Sequence, residues 1–217
     1  KAPMLFAMGD GNHSFATAKA NWEALKQKLS PAERETHPAR YALVELENIH
    51  DPGIVFEPIH RVLFNIDTEQ ALRFLVERLA ADNGACKLNR FESKEDCDAL
   101  IKIAQTCGGH ILPFVFAGGY GYLKVNAPTA QLEVGTLQNA LDALLKAFPQ
   151  ASIDYIHGAD VVNELGAKPG NLGFLLPPMA KSAFFPTVVF DGALPRKTFS
   201  MGEANEKRYY LECRKIK

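Results

Sequence analysis

The sequence has almost no net charge and no long apolar run, and each absence excludes a class of function. Its 24 basic side chains nearly balance its 25 acidic ones, which leaves a formal net charge of -1. A near-neutral chain lacks the electrostatic footprint that attracts a phosphate backbone, so we do not expect a nucleic-acid partner. No apolar stretch approaches the ~18 residues that a membrane-spanning helix needs, so we expect no membrane partner either.

The four cysteines, Cys86, Cys97, Cys107 and Cys213, show no C-x-x-C spacing. That pattern favours reduced thiols in a cytoplasmic protein over a disulfide framework or a zinc site. The chain starts with "KAPMLF", which has neither an initiating methionine nor the apolar length of a signal peptide. We therefore expect a fragment of a larger protein, whose N-terminal segment is a missing partner.

What is present is enough apolar material for a core, since 47% of the 217 residues are hydrophobic. Residues 4–8 predict a short strand that ends at Gly9, and residues 14–29 predict a helix with one apolar face. "YALVELENI" (41–49) predicts a strand, and residues 54–66 predict an extended segment kinked at Pro58.

The middle of the chain alternates between strand and helix patterns. Asp67 and Ser93 are predicted N-caps of helices that end near residues 81 and 106, and Thr136 is predicted to open a third helix. Strands are predicted at "ACKLNRF", "HILPFVFA", "YGYLKVNA" and "SIDYIH", the middle pair joined as a hairpin by Gly118-Gly119. This pattern indicates an α/β (α+β) fold with residues 65–149 as an inserted α/β lobe.

The last part of the chain is rich in proline and glycine yet strongly apolar. From "KPGNLGFLL" to "KTFSMG" it predicts short strands and ordered loops wrapped on a core, and "KRYYLECRKI" predicts a closing strand. We therefore expect residues 1–64 and 150–217 to form one core and residues 65–149 a lobe inserted into it.

The stretch "MGDGNHSF" places two glycines, an acid, an amide and an imidazole between a predicted strand and a predicted helix. Glycine permits positive φ and close approach of a ligand, and free N–H groups with the helix dipole favour an anion there. Asp10 fits a general base, a metal ligand or a brace for the loop. The same residues also fit a tight turn with Asn12 or Ser14 as N-cap, and spacing alone leaves both readings open.

Several spaced motifs resemble one family. "GDGNHSFATAK" resembles the D-G-[HN]-H loop of a large bacterial and archaeal family of proteins of unknown function, the domain of unknown function 1015 family. "FEPIHRVLF" resembles its P-x-H-R segment, and "IDYIHG" and "FLLPPMAKSAFFPTVVFDGALPRKTFSMG" resemble its late segments. The family is related to the SerK free serine kinases and, more distantly, to the ParB/sulfiredoxin superfamily.

This resemblance implies a ParB/sulfiredoxin-like core with a strand, glycine loop and helix that hold nucleotide or substrate phosphates. It implies a nucleotide-dependent phosphotransferase that acts on a small hydroxyl compound. Carried over by position, Asp10 and His13 are the candidate catalytic residues. The candidate phosphate or ligand-binding residues are Gly11, Asn12, Ser14, His60, Arg61, His157 and Lys181.

One departure keeps a second function open. Many relatives have His then Arg at the end of the loop, whereas this chain has His13 then Ser14, which removes a bidentate phosphate clamp. The alternative is a non-catalytic module that binds a nucleotide or phosphometabolite. No H-E-x-x-H motif fixes a protein-held metal, so we expect Mg²⁺ to arrive with ADP or ATP.

Overall fold

A computed structural model of the chain describes residues 4–9 and 11–201. The chain divides into two compact units, and the structure describes 4–9 and 11–53 in the first and 54–201 in the second. Asp10 and the predicted closing strand "KRYYLECRKI" lie outside the described residues.

The described residues of the first unit form two α-helices, α1 (Asn12–Leu25) and α2 (Pro31–Thr36), and neither contains a buried residue. Helix α1 begins two residues earlier than predicted, and a 3₁₀ turn over Lys26–Lys28 replaces its last predicted turn. Ser30 caps α2 with a capping box, because its Oγ accepts from the Glu33 N–H and its own N–H donates to Glu33 Oε2.

Two predicted strands in the first unit are wrong. Residues 4–8 and 41–49 are neither helix nor strand. A strand needs a neighbour to bond its backbone, and here the apolar side chains stay in solvent, as the 90% exposure of Leu43 shows. The predicted strand–loop–helix joint is therefore a loop–helix joint.

The second unit is a mixed α/β structure built on an antiparallel sheet. Its strands are β1 (Phe56–Phe64), β2 (Cys86–Phe91), β3 (His110–Phe116), β4 (Gly119–Val125), β5 (Ser152–His157), β6 (Leu172–Phe174) and β7 (Phe199–Met201). The order across the sheet is β2-β4-β3-β6-β1-β5, and β7 pairs with the beginning of β1. Every pairing in this sheet is antiparallel.

Five helices accompany the sheet: α3 (Thr68–Asn83), α4 (Lys94–Thr106), α5 (Glu133–Ala147), α6 (Ala159–Gly166) and α7 (Lys181–Asp191). The predicted caps of α3 and α4 are confirmed, since Asp67 accepts from the Gln70 N–H and Ser93 from the Asp96 N–H. Helix α5 starts at Glu133 rather than at Thr136.

The core lies on both faces of the sheet because neighbouring residues of each strand point to opposite sides. On one face, Leu63 and Leu112 pack with leucines of α3 and α5. On the other face, Val62 packs with Val162 of α6, and Ile111 packs with Cys97 of α4.

Helix α7 was not predicted, since its sequence indicated strands and loops. It contains Pro186, which cannot donate a backbone hydrogen bond, and the Thr187 hydroxyl donates to the Ala183 carbonyl beside it. Phe184 fixes the helix by packing against Phe56 and Phe199, whose rings stack 4.1 Å apart.

The predicted insert over residues 65–149 supplies β2, β3 and β4 to the sheet, and β1, β5 and β6 come from outside it. Whether those residues form a lobe of their own stays a prediction. Within the described part of the chain, no helix has both the length and the apolar character that crossing a bilayer requires.

Candidate functional site

The glycine loop leads directly into the first helix. Gly11 is the N-cap of α1 in the left-handed conformation, with φ 71° and ψ 22°. It has no side chain that could accept from the first turn, and that turn contains no acidic residue. The Gly11 carbonyl accepts the first helical hydrogen bond, from the Phe15 N–H at 2.9 Å.

The side chains that follow Gly11 face solvent. Asn12, His13 and Ser14 are all exposed, and the His13 carbonyl accepts from the Thr17 hydroxyl at 2.9 Å. The loop therefore combines the positive end of a 14-residue helix with an accessible imidazole, amide and hydroxyl. This combination suits a small anion.

His60 and Arg61 are adjacent in β1 but point to opposite faces of the sheet. Arg61 shares its face with Leu63 and reaches Gln138 of α5. His60 shares the opposite face with Val62, where its Nδ1 accepts from the Leu176 N–H at 3.0 Å. One ligand cannot meet both side chains on one face of the sheet.

Arg61 is completely buried and is held by protein acceptors. Its guanidinium donates to the carbonyl of Ile59, to Gln138 Oε1 at 3.2 Å and to the Arg196 carbonyl at 3.0 Å. Burial lowers the pKa of Arg61 to about 10, opposed by the nearby Tyr155 and Asp142. No surface of Arg61 is open to a ligand. Its role in phosphate binding stays a prediction.

Four further residues complete what we call the Arg61 network: Gln138, Asp142, Tyr155 and Arg196. Asp142 Oδ1 accepts from Gln138 Nε2 at 2.8 Å and from the Arg196 guanidinium at 2.7 Å. The guanidinium carbons of Arg61 and Arg196 lie 5.0 and 5.8 Å from the centre of the Tyr155 ring. The Tyr155 hydroxyl is buried and has no hydrogen-bond partner among the described residues.

Sequence reasoning did not single out Gln138 or Asp142. One signal was available, because Gln138 and Asp142 stand four apart in the helical pattern "TLQNALDALL". A polar pair at that spacing shares one helix face and interacts. Gln138 is buried, so its amide bridges the inner guanidinium to the outer carboxylate.

His60 is neutral where it lies. The Leu176 N–H occupies Nδ1, which leaves the ring proton on Nε2. Burial lowers the pKa of His60, and the charges of Arg61 and His157 lower it further. A neutral donor of this kind can orient a ligand oxygen but adds no positive charge to it.

His157 lies at the end of a strand and Lys181 at the start of a helix, both in the second unit. His157 ends β5 opposite Ile59, is exposed, and precedes Gly158, the positive-φ N-cap of α6. Lys181 is the half-buried first residue of α7. The glycine loop belongs to the first unit, so the predicted convergence of these residues on Gly11–Ser14 stays a prediction.

Comparison with known families gives one match. A family model described as "Protein of unknown function (DUF1015)" matches residues 1–144, about two thirds of the chain. This span includes the glycine loop, β1 and Gln138. No curated protein and no solved structure is significantly similar to the chain.

Proposed function

The chain belongs to the DUF1015 family, and from its geometry we propose that it is a nucleotide-dependent phosphotransferase acting on a small hydroxyl compound. One observation carries the proposal: Gly11, in the left-handed conformation, is the N-cap of α1 and brings no side chain of its own to the first turn. The residues 11–14 would hold the phosphates of the nucleotide, as in the free serine kinases that the family resembles. We also propose that the core is of the ParB/sulfiredoxin type.

The physical basis of the proposed phosphate binding is the N-terminal end of α1. The first N–H groups of a helix have no partner within it, and the macrodipole places about half a positive charge there. Glycine lets a ligand oxygen approach the backbone closely. Phosphoryl transfer asks mainly for positioning and charge stabilisation, which such a loop supplies when the nucleotide brings Mg²⁺.

The proposed roles follow the loop. His13 donates a hydrogen bond to a phosphate oxygen, and Asp10 serves as general base or magnesium partner. Lys181, His60 and His157 lie in the second unit, and their roles as ligand contacts stay predictions. ADP or ATP is the proposed nucleotide, and we propose that it carries the Mg²⁺.

A binding module without catalysis is the second candidate, and the Arg61 network favours it. Ser14 provides no guanidinium, and the donors of Arg61 already meet Gln138, Ile59 and Arg196. Each charged hydrogen bond to a phosphate is worth ~1.5–3 kcal/mol. A loop without either arginine would therefore bind the nucleotide about tenfold or more weakly.

Calorimetric titration with Mg²⁺ and ADP tests the binding step. We expect the wild-type chain to bind, His13→Ala to bind more weakly and Gly11→Val to lose binding. Gly11→Asn separates two causes, because asparagine tolerates positive φ but still adds a Cβ. Apart from the two chain neighbours of Gly11, no atom of the described residues lies within 4 Å of that Cβ position, so weaker binding by this variant reports on the ligand's own approach.

His50→Ala is the matched control, since His50 is an exposed histidine of the same unit outside the loop. Equal binding by all the variants would place the ligand elsewhere. Phosphorus NMR with ADP or ATP and serine then separates the two candidates. A phosphoserine signal, resolved from those of AMP and inorganic phosphate, supports the transferase, whereas binding without turnover supports the module.

A further inference from the structure

A groove in the second unit lies between α3 and α5, away from the residues that sequence reasoning selected. It encloses about 670 Å³ and is lined by Arg78, Asp82, Thr129, Asn139, Asp142 and Lys146. That volume is within the usual range for small-molecule sites. We call it the α3–α5 groove.

Most polar groups of the groove are already satisfied. Arg78 pairs with Asp82 at 2.8 Å, Asp142 Oδ1 accepts from Gln138 and Arg196, and the Thr129 hydroxyl donates to Asn83. Two lining side chains remain without a hydrogen bond or ion pair among residues 4–9 and 11–201.

Those two are Asn139 and Lys146, and they share a stripe of α5 with Asp142. Positions 139, 142 and 146 follow the i, i+3, i+7 spacing of one helix face, a length of about 10 Å from end to end. The Asp142 Oδ2 oxygen in the middle of the stripe likewise accepts nothing within the described part of the chain, because both hydrogen bonds of that carboxylate reach Oδ1.

The charge around the groove is positive. Arg78 and Lys146 line the groove, and Arg196 reaches it by pairing with Asp142, which gives three cations against the two carboxylates Asp82 and Asp142, an excess of one positive charge. An anion in the groove would supply the missing negative charge.

We propose that the α3–α5 groove binds a small anion that also carries hydroxyl groups, of about the size of a sugar phosphate or sugar acid. The ammonium of Lys146 binds the phosphate or carboxylate. Asn139 and Asp142 Oδ2 bind hydroxyls along the stripe, the amide as donor or acceptor and the carboxylate as acceptor. This site is independent of the glycine loop and does not rest on the proposed phosphotransferase.

Titration of the full chain with four probes tests the site. Glucose 6-phosphate and gluconate carry the anion and the hydroxyls, glucose carries only hydroxyls, and inorganic phosphate carries only charge. We expect at least one of the first two to bind at millimolar concentration and both single-feature probes to bind tenfold or more weakly. Whichever anionic polyol binds more tightly tells whether phosphate or carboxylate is the natural group.

Variants locate the binding. Lys146→Met should weaken binding of the anionic polyol tenfold or more, and Asn139→Leu should weaken it while leaving inorganic phosphate unaffected. Lys102→Met is the matched control, since Lys102 is an exposed lysine of α4, and Gly11→Val should also leave this binding unchanged. If Lys146 only stabilises the end of α5, its variant melts earlier but binds normally, and that result overturns the proposal.

Two other outcomes also overturn it. The first is no binding of glucose 6-phosphate or gluconate by the wild-type chain at millimolar concentration. The second is equal binding of inorganic phosphate and glucose 6-phosphate, which would leave a non-selective anion contact in place of a polyol site.

Discussion

The guanidinium of Arg61 donates to the backbone carbonyl of Arg196, at 3.0 Å, across 135 residues of chain. The guanidinium of Arg196 in turn donates to Asp142. Both ends of Arg196 are therefore fixed to the second unit, the carbonyl through β1 and the side chain through α5. This double attachment holds the segment after α7 against the sheet.

Arg61→Leu should destabilise the second unit strongly. The change leaves acceptors of Gln138, Ile59 and Arg196 inside the protein without a donor, at ~1–3 kcal/mol each. We expect the free energy of unfolding in urea to fall by about 3 kcal/mol or more. Arg73→Leu, at an exposed arginine of α3, should change it little.

The double variant Arg61→Leu with Gln138→Leu checks the mechanism. Replacing both partners by apolar side chains removes the unsatisfied amide, so its cost should be less than the sum of the two single costs. Additive losses would show that Arg61 and Gln138 act separately.

Acid should weaken the second unit through two buried histidines. Burial lowers the pKa values of His60 and His110, whose Nδ1 atoms bond the Leu176 N–H and the Thr136 hydroxyl. Because the folded-state pKa values of both histidines are lowered, the unfolded chain binds more protons as the pH falls through its own histidine pKa of about 6.5. Stability should thus be full above that pH and fall as pH drops from about 7 to 5.

The double variant His60→Asn, His110→Asn measures that contribution. Asparagine keeps an acceptor near the position of Nδ1 but does not titrate, so the stability of this protein should depend less on pH over the same interval. His50→Asn, at an exposed histidine, serves as control. A double variant with the wild-type pH profile would assign the acid sensitivity to other groups.

Gly166→Ala should destabilise, contrary to the usual gain from alanine in a helix. A Cβ at Gly166 would lie 2.6 Å from Val115 Cγ1, 2.9 Å from the Gly173 N and 3.0 Å from the Val115 carbonyl. Two of these atoms are backbone, so α6 must move away from β3 and β6, at ~1–3 kcal/mol. Thermal unfolding should show a lower melting temperature.

Gly135→Ala, in α5, is the comparison variant for Gly166→Ala. The nearest atom to a Cβ there is the Ala130 side chain at 3.0 Å, with no backbone atom close by. The lost backbone entropy of glycine is worth ~1 kcal/mol in a helix, which opposes that tight contact. A Gly166→Ala protein at least as stable as the Gly135→Ala protein would contradict the close approach of α6 to the sheet.

Asp67→Ala should cost about 1 kcal/mol by removing the N-cap of α3. Asp67 Oδ1 accepts from the Gln70 N–H at 2.8 Å, and an alanine leaves that N–H to solvent. Asp67→Asn retains a capping oxygen and should keep most of the stability. Chemical denaturation of the three proteins gives the order, and an equal loss in both variants would argue against the cap.

Local signals were sufficient for much of the second unit. The caps at Asp67 and Ser93 and the hairpin at Gly118-Gly119 depend on residues a few positions apart, and the structure confirms all three. The strands over 56–64 and 152–157 were likewise predicted, although their pairing could not be, because the sequence does not show which strands are neighbours.

Elements that depend on distant contacts were not predictable in this way. The pattern over 41–49 indicates a strand, yet the described residues offer no partner, so the segment stays irregular. The proline and glycine content of the late part of the chain indicated strands and loops, yet α7 forms there and Phe184 packs on Phe56 and Phe199.

The candidate site shows the same limit. His60 and Arg61 were both candidate ligand residues because "FEPIHRVLF" resembles the family's P-x-H-R segment, whereas the alternation of a strand places their side chains on opposite faces of the sheet. The glycine loop was readable because Gly11 and the start of α1 are contiguous, and its left-handed conformation is what the residue type suggested. The Arg61 network joins residues from 61 to 196, and no local pattern connects them.

The placement of β1 has a consequence for how the chain folds during its synthesis on the ribosome. Among the described residues, this nine-residue strand pairs with β5, β6 and β7, so Phe64 can pair with Ser152, and Arg61 with Phe174, only after those later residues have been synthesised. At roughly 5–20 residues per second, the nascent chain exposes the strand for about 5–20 s before its partners exist. Meanwhile β2, β3 and β4 can already close on one another. A chaperone that acts on this chain during translation would meet β1 while its backbone is still unpaired.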